Sequence, residues 1–201
     1  MCSSGAFYDV GTNLCLKNSS FNQACLSYTQ CDSSKGLTCS SNGKCVCKQS
    51  GFYYSTTNDM CISCPWTIVD YDNFQTCIKD FSSIYATASF SNVQSYCSTF
   101  NSHILRLNST SFNQFIKSFL LKKDVFYWMD ATDQSVENSY VWNSFIGSPG
   151  YSIDTTIIPW CTNQPDGGLL ENCLALSPMA WCLVDVSCTS AQLYTVCQYN
   201  N

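Results

Sequence analysis

The chain has 201 residues, a formal net charge of −5 and 16 cysteines. Its nine Lys and Arg residues offer few groups to neutralise phosphates, which argues against nucleic acid as a ligand. No apolar run reaches the roughly 18 residues of a membrane-spanning helix, so no membrane insertion of this chain is predicted. The cysteines are even in number and run from Cys2 to Cys197, which predicts disulfides and an oxidising, extracellular compartment.

Structural zinc is the alternative use for so many cysteines. Only Cys61 and Cys64 stand at Cys-x-x-Cys spacing, and no second pair follows at the spacing of a zinc finger. Disulfides are therefore the preferred interpretation. Two glycosylation sequons, at Asn18 and Asn108, also favour a secreted or cell-surface protein. No basic and apolar leader follows Met1, which predicts a mature form or a piece of a longer protein.

The first 63 residues hold eight cysteines, many turn-forming residues and few apolar ones, so they are predicted to form a disulfide-stapled spacer or stalk. This segment contains an internal repeat. Residues 2–15 and 47–61 each run from Cys through Gly, Phe-Tyr and Thr-Asn to a second Cys. Each copy is predicted to be a hairpin closed by its own disulfide, Cys2–Cys15 in the first and Cys47–Cys61 in the second.

From Cys64 onward the residues become more aromatic and β-branched, and helical periodicity appears. A first helix is predicted with Ser91 as its cap. Its apolar positions are Val93, Tyr96, Cys97 and Phe100. A second helix is predicted from about Thr110. Its apolar face carries Phe112, Phe115, Ile116 and Phe119.

Strands are predicted at residues 125–128 and 140–142, and a last one at residues 193–197. Between them, residues 143–187 are rich in Gly, Pro, Asn, Asp and Ser and are predicted to be irregular. A long irregular region inside a compact domain is usually functional or held by disulfides. This region is therefore where a binding site is expected.

Six cysteines of the first segment stand in an order that resembles an EGF-like module, and a related invertebrate cysteine-rich module fits equally well. They are Cys25, Cys31, Cys39, Cys45, Cys47 and Cys61. The EGF-like resemblance implies the pairs Cys25–Cys39, Cys31–Cys45 and Cys47–Cys61. The acidic-Asn-Glu signature of calcium-binding EGF modules is absent, which favours the role of a spacer.

Residues 64–201 resemble a C-type lectin-like domain through a series of motifs in family order. These are Cys64-Pro65-Trp66, Phe90 with Val93 and Cys97, Ser102-His103-Ile104-Leu105, Tyr127-Trp128-Met129-Asp130-Ala131, Trp160, Gln164-Pro165-Asp166, Glu171-Asn172-Cys173, Asp185-Val186-Ser187-Cys188 and Val196-Cys197. The resemblance implies an α+β fold with two helices, two small antiparallel sheets and a long loop region, preceded by the mostly β or irregular module of residues 1–63.

The same resemblance implies three disulfides, which are Cys64–Cys77, Cys97–Cys197 and Cys173–Cys188. Cys161 and Cys182 are left over inside the long loop region, and we expect them to pair with each other. Such a staple stiffens the loops around the expected site. Stiffening a binding loop beforehand lowers the ordering cost of binding.

In sugar-binding members of this family a loop calcium ion holds two vicinal sugar hydroxyls, and Gln-Pro-Asp resembles the galactose-type motif. Transferred to this chain, the calcium ligands are Gln164, Asp166, Glu171 and Asp185. The family has an Asn just before the last of these, where this chain has Val184, so the loss of one oxygen ligand is expected to weaken calcium binding. The aromatic residue that often stacks on galactose is also replaced, and Trp160, Trp181 or Tyr151 is the candidate substitute.

The resemblance implies an extracellular, calcium-dependent lectin that prefers galactose or GalNAc and acts on glycans or glycoproteins in adhesion or recognition. The alternative is a calcium-independent protein-binding or matrix-structural domain of the same fold, in which Gln-Pro-Asp is only a turn. An oligomer or a larger modular array is compatible with the repeat-bearing stalk. Val184 favours the alternative, whereas Gln-Pro-Asp and Glu171 favour the lectin.

An enzyme is not expected. His103 is the only histidine, so a Ser-His-Asp triad would have to use it, and it is predicted to be a packed structural residue. The pairs Asp130/Asp133 and Asp166/Glu171 offer two carboxylates each, as a glycosidase needs, but calcium ligation or surface exposure explains them better.

Overall fold

The structure is a computed structural model that describes residues 2–3, 5–71, 74–82, 87–143, 150–189 and 191–199. These residues divide into two compact units between Cys77 and Ile78. This division assigns the hairpin closed by Cys64 and Cys77 to the first unit, and the boundary expected between residues 63 and 64 stays a prediction. Among the described residues, no helix is both long and apolar enough to cross a membrane.

The first unit is built from short antiparallel hairpins. β1 (Ala6–Asp9) pairs with β2 (Leu14–Lys17), β3 (Leu37–Cys39) with β4 (Cys45–Cys47), and β5 (Phe52–Ser55) with β6 (Met60–Ser63). β7 (Thr67–Tyr71) then lies beside β8 (Phe74–Asp80), which continues into the second unit. Because the segment is poor in apolar residues, half-cystines make up much of its core. The buried cluster consists of Cys25, Cys31, Leu37, Cys45, Tyr54 and Cys61.

The second unit contains two helices, α1 (Phe90–Ser98) and α2 (Thr110–Phe119). The start of α2 is confirmed, and the Ser109 side chain caps it by accepting the N–H of Phe112. The predicted cap of α1 is wrong, because Ser91 lies inside the helix and Ser89 occupies the N-cap position. Phe90, Val93 and Cys97 share the buried face, so the apolar stripe begins one position before Ser91.

Two antiparallel sheets complete the second unit. One has the order β8-β14-β9, with β9 at Ser102–Ile104 and β14 at Val196–Tyr199. The other has the order β11-β10-β12-β13, with β10 at Tyr127–Thr132 and β11 at Val141–Trp142. β10 begins two residues later than predicted. β14 begins three residues later than predicted, because Leu193 and Tyr194 form only isolated bridges.

The remaining strands correct the prediction of an irregular region over residues 143–187. β12 (Cys173–Ser177) and β13 (Cys182–Val186) form an antiparallel hairpin inside it, with five residues in each strand. Residues 144–149 of that region lie outside the described residues. The structure thus places a short 3-10 helix (Gly168–Leu170) and then this hairpin after the Gln-Pro-Asp motif.

All 16 cysteines are paired, and the pairs are the eight expected from the sequence. They are Cys2–Cys15, Cys25–Cys39, Cys31–Cys45, Cys47–Cys61, Cys64–Cys77, Cys97–Cys197, Cys161–Cys182 and Cys173–Cys188. Cys97–Cys197 joins α1 to β14 across 100 residues of sequence. The chain-entropy estimate for so long a loop is roughly 4–5 kcal/mol.

Candidate functional site

Asp185 anchors the candidate site at the end of β13. It is buried, with 3% of its surface exposed. Its carboxylate accepts hydrogen bonds from the backbone N–H of Asp166 at 3.1 Å and from that of Gly167 at 2.8 Å. Hydrogen bonds to an anion are among the strongest in proteins. The strand end therefore fixes the backbone of the loop that follows Gln-Pro-Asp.

The amide of Gln164 joins the same strand to the same loop. Its Oε1 accepts the N–H of Asp185 at 3.1 Å, and its Nε2 donates to Oδ1 of Asp166 at 2.6 Å. The Gln164–Pro165 peptide bond is cis. Since the N–H and C=O of a strand residue project to the same edge, the carbonyl of Asp185 also faces this loop.

Glu171 completes a group of three carboxylates. One oxygen each from Asp166, Glu171 and Asp185 lies within 4.8 Å of the others. Partial burial, and then the charges of Asp185 and Asp166, raise the pKa of Glu171 above its ordinary value. Carboxylate and amide oxygens are what a hard divalent cation prefers, and such an ion relieves this repulsion. The donor set therefore fits calcium.

Gly167 leaves the space that the Glu171 side chain occupies. A Cβ on Gly167 would lie 2.2 Å from Cγ and 2.3 Å from Oε2 of Glu171, far inside van der Waals contact. The need for a glycine at this position is not evident from the sequence. The Asp166-Gly167-Gly168 run signals a tight loop, but it does not reveal which side chain needs the room.

Tyr140 contacts the site through Glu171, and the sequence did not predict this contact. Its hydroxyl donates to the carbonyl oxygen of Glu171 at 3.0 Å, and its ring meets that of Trp160 edge to face at 5.1 Å. Burial and the charges of Asp133 and Asp185 raise the pKa of Tyr140, which keeps the phenol protonated as a donor. No local pattern in the sequence links Tyr140 to residues some 30 positions away.

Two more buried carboxylate oxygens lie near Tyr140. They are Oδ1 of Asp133 and Oε2 of Glu137, and neither has a hydrogen-bond partner within the described parts of the chain. A buried, unpaired carboxylate oxygen is costly unless a cation or water satisfies it. The acidic neighbourhood therefore extends beyond the three converging carboxylates.

The Cys161–Cys182 disulfide holds the start of the loop against β13. The backbone N–H of Cys161 donates to the carbonyl of Leu183 at 2.8 Å, and the N–H of Leu183 donates to that of Pro159 at 2.9 Å. Trp160 thus runs beside Leu183 as an isolated parallel bridge. The strand, the bridge and the disulfide together pre-order the segment that leads to Gln164.

The four expected ligands come together, but the expected aromatic residues do not all join them. Trp160 packs on Tyr140, whereas Trp181 occupies the turn at the far end of the β12–β13 hairpin, with the Lys117 ammonium 5.5 Å from its ring. Tyr151 is exposed and accepts a hydrogen bond from the Asn108 side chain at 3.4 Å. Val184 pairs with Ala175 in the hairpin and offers no side-chain oxygen.

A groove of about 520 Å³ opens beside Glu171. Its lining residues are Gln134, Leu169, Leu170, Asn172, Ser187 and Thr189, with Glu171 and Cys188. This volume lies within the range of small-molecule sites. Leu169 and Leu170 are 78% and 82% exposed, so the groove has an apolar rim beside acidic and amide groups.

Asp130, of the carboxylate pair Asp130/Asp133, lies in a buried cluster with Arg106 and His103. Asp130 is buried, and its Oδ2 lies 2.6 Å from the guanidinium of Arg106 and 3.7 Å from Nδ1 of His103. Burial raises the pKa of Asp130 to about 6, and burial lowers the pKa of His103 to about 3. His103 is a packed residue in β9, as predicted, with 10% of its side chain exposed.

The comparisons with known proteins agree with this architecture. The family model described as the lectin C-type domain matches residues 86–199. Among curated proteins, no sequence matches the chain.

Solved structures of the same fold include carbohydrate-recognition domains and an antifreeze protein. A murine dendritic cell inhibitory receptor 2 domain in complex with N-glycan has a TM-score of 0.54 and 20% identity, covering 69% of this chain and all of that one. The mouse scavenger receptor carbohydrate-recognition domain has a TM-score of 0.53 and 20% identity, covering 69% and 99%. A calcium-independent type II antifreeze protein has a TM-score of 0.51 and 20% identity, covering 67% and 92%. At such identities these likenesses concern the fold alone.

Proposed function

The chain belongs to the family of C-type lectin domains, and we propose that it is an extracellular lectin that binds galactose-type sugars through Ca²⁺. Gln164, Asp166, Glu171 and Asp185 hold the ion in this proposal. The first unit serves as a spacer, and the glycans of glycoproteins are the partners. The fold of the second unit, the eight disulfides and the acidic loop support this function.

One observation carries the proposal, which is the convergence of three carboxylates within 4.8 Å on a loop that a disulfide and a buried strand hold in place. Carboxylates repel one another, so such a cluster is costly without a cation. When bound, Ca²⁺ supplies free coordination positions that accept sugar hydroxyls. The protein's own side chains orient the sugar by hydrogen bonding to its hydroxyls.

The polar groups around the cluster explain how a sugar is read. The carboxylate oxygens of Asp166 and Glu171 accept hydrogen bonds from sugar hydroxyls, and the amide of Gln164 both donates and accepts. The same amide now bonds Asp166 at 2.6 Å, so donor and acceptor already lie side by side. Two adjacent sugar hydroxyls match this pair, and the preference for galactose in this proposal rests on the resemblance of Gln164-Pro165-Asp166 to the galactose-type motif.

Sugar binding in calcium and in EDTA tests the proposal. Isothermal titration of galactose, GalNAc and mannose into the full chain should give binding of the first two in calcium and none in EDTA. Asp166→Asn should abolish binding, whereas Asp124→Asn, at an exposed acidic residue outside the site, should leave it intact. Equal binding in EDTA would overturn the calcium mechanism, and preferred binding of mannose would overturn the galactose assignment.

Val184 supports a second candidate, a calcium-independent recognition domain of the same fold. It removes one oxygen at the position next to Asp185. In that case the Gln-Pro-Asp turn and the Asp185 hydrogen bonds only shape a protein-binding surface. Calcium would then change neither the stability of the chain nor its binding to any sugar.

A further inference from the structure

The first unit contains the same hairpin twice. β1 pairs with β2 and β5 with β6 in the same register, so that Tyr8 opposes Cys15 as Tyr54 opposes Cys61. This match corrects the sequence repeat by one position, because Phe7-Tyr8 corresponds to Tyr53-Tyr54 and not to Phe52-Tyr53. Each hairpin also begins at a glycine with positive φ, which is +80° at Gly5 and +76° at Gly51.

The turns of the two hairpins match as well. The Tyr8 hydroxyl donates to Oδ1 of Asn13 at 2.7 Å, and the Tyr54 hydroxyl donates to Oδ1 of Asp59 at the corresponding place. Asn13 and Asp59 both have left-handed backbones, with φ of 55° and 52°. The two hairpins are therefore the same structural part, each closed by its own disulfide.

They differ in what covers one face. Tyr54 is 6% exposed, and its ring stacks on Phe21 at 4.8 Å and 5° between planes. The same face of the second hairpin carries Cys61, which is also buried. The segment from residue 18 to residue 46 supplies this cover, including Cys25, Cys31, Leu37 and Cys45.

The corresponding face of the first hairpin is open. Tyr8 is 57% exposed, and Cys15, which stands opposite it, is exposed as well. A tyrosine ring and a disulfide side by side form an amphipathic platform that loses favourable burial when it faces water. Nothing in the hairpin's own geometry distinguishes it from the copy that is covered.

We propose that the Tyr8–Cys15 face is a docking surface for a cysteine-rich segment of the same design as residues 18–46, one that presents an aromatic ring to Tyr8 as Phe21 does to Tyr54. The occupant differs from residues 18–46 in one respect. Lys35 bonds the Asp59 carboxylate at 2.5 Å, whereas the matching Asn13 is neutral. The occupant therefore needs no cation at the position of Lys35.

Completing the first hairpin tests this directly. A second copy of residues 18–46 is fused directly before Cys2 of the full chain, in the way that Val46 precedes Cys47. Hydrogen exchange of the β1–β2 amides is measured with and without the added copy, and disulfides are mapped. We expect exchange to slow at least about tenfold, since covered strands open less often. The added copy should form its own Cys25–Cys39 and Cys31–Cys45 pairs.

The matched control is the same fusion with Phe21→Ala in the added copy only, which should lose most of the added protection. Unchanged exchange with the added disulfides formed would overturn the proposal. Equal protection from the Phe21→Ala copy would overturn the aromatic contact. Failure of the added copy to form its two pairs would also contradict it, because residues 18–46 of the chain form them against a hairpin of the same geometry.

Discussion

Gly167 and Glu171 show how much of the site depends on the absence of one methyl group. The backbone of Gly167 has φ −84° and ψ −13°, which an alanine adopts without strain. Any effect of Gly167→Ala therefore comes from the contact with Glu171, whose side chain must move away from the other two carboxylates.

We expect Gly167→Ala to lower calcium affinity by about tenfold or more while the fold is kept, as changes that displace a ligand usually do. Calcium titration followed by calorimetry measures this. Gly168→Asn is the matched control, because Gly168 has open space around its Cα and asparagine tolerates its φ of +51°. If both variants bind calcium like the parent chain, Glu171 is not a ligand.

His103 gives the second unit a pH dependence with a defined sign. Its folded pKa of about 3 lies below the ordinary 6.5, chiefly through burial and then through Arg106. The stability that neutral His103 contributes is present above pH 6.5 and is lost as the pH falls toward 3, because the unfolded chain takes up a proton that the folded chain refuses. Asp130 titrates with the opposite sign, since its pKa is raised.

We therefore expect the free energy of unfolding of the parent chain to fall relative to that of His103→Gln, by up to about 1.4 kcal/mol for each pH unit below 6.5. Taking the difference removes most of the contribution of Asp130, which both chains share. Urea unfolding in EDTA at pH 7, 5.5 and 4.5 measures it. A difference that stays constant over this range would show that His103 is not held neutral.

At the scale of elements, periodicity predicts α2 well and the hairpin of β12 and β13 poorly. α2 is amphipathic, with Phe112 and Ile116 buried on one side and Lys117 exposed. β12 is buried on both faces from Cys173 to Leu176, so its sequence shows no alternation, and the surrounding turn residues conceal it. Only the resemblance of its motifs points to ordered structure there.

The Cys161–Cys182 disulfide holds the loop that carries the candidate calcium ligands, so its removal should affect calcium binding most specifically. It closes a 21-residue separation, for which the chain-entropy estimate is about 3 kcal/mol. We expect the double change Cys161→Ser and Cys182→Ser to lower both stability and calcium affinity, because the loop must then be ordered on binding.

The double change Cys2→Ser and Cys15→Ser removes a disulfide of the first unit and serves as the control. It should leave calcium affinity unchanged in the same titration. Equal affinity after removal of Cys161–Cys182 would mean that the strand and the Asp185 hydrogen bonds alone order the loop.

For the whole molecule, motifs in family order predicted more of the fold and of the candidate site than composition or periodicity did. The fold class and the meeting of Gln164, Asp166, Glu171 and Asp185 followed from motif order. The support from Tyr140 and the room at Gly167 did not, because they are contacts between positions distant in sequence or matters of space that no local pattern records. The sequence repeat predicted two similar hairpins, but it did not predict the register that aligns Phe7-Tyr8 with Tyr53-Tyr54.

Thermal unfolding of the full chain is measured by calorimetry in 10 mM CaCl2 and in EDTA, to determine whether the second unit binds calcium. This calcium concentration is about a hundredfold above a dissociation constant near 0.1 mM. A ligand at about 100 times its dissociation constant stabilises the native state by about 2.7 kcal/mol. For a unit of this size we expect calcium to raise the unfolding midpoint of the second unit by roughly 10 °C and to leave that of the first unit unchanged. Identical midpoints in calcium and in EDTA would contradict it.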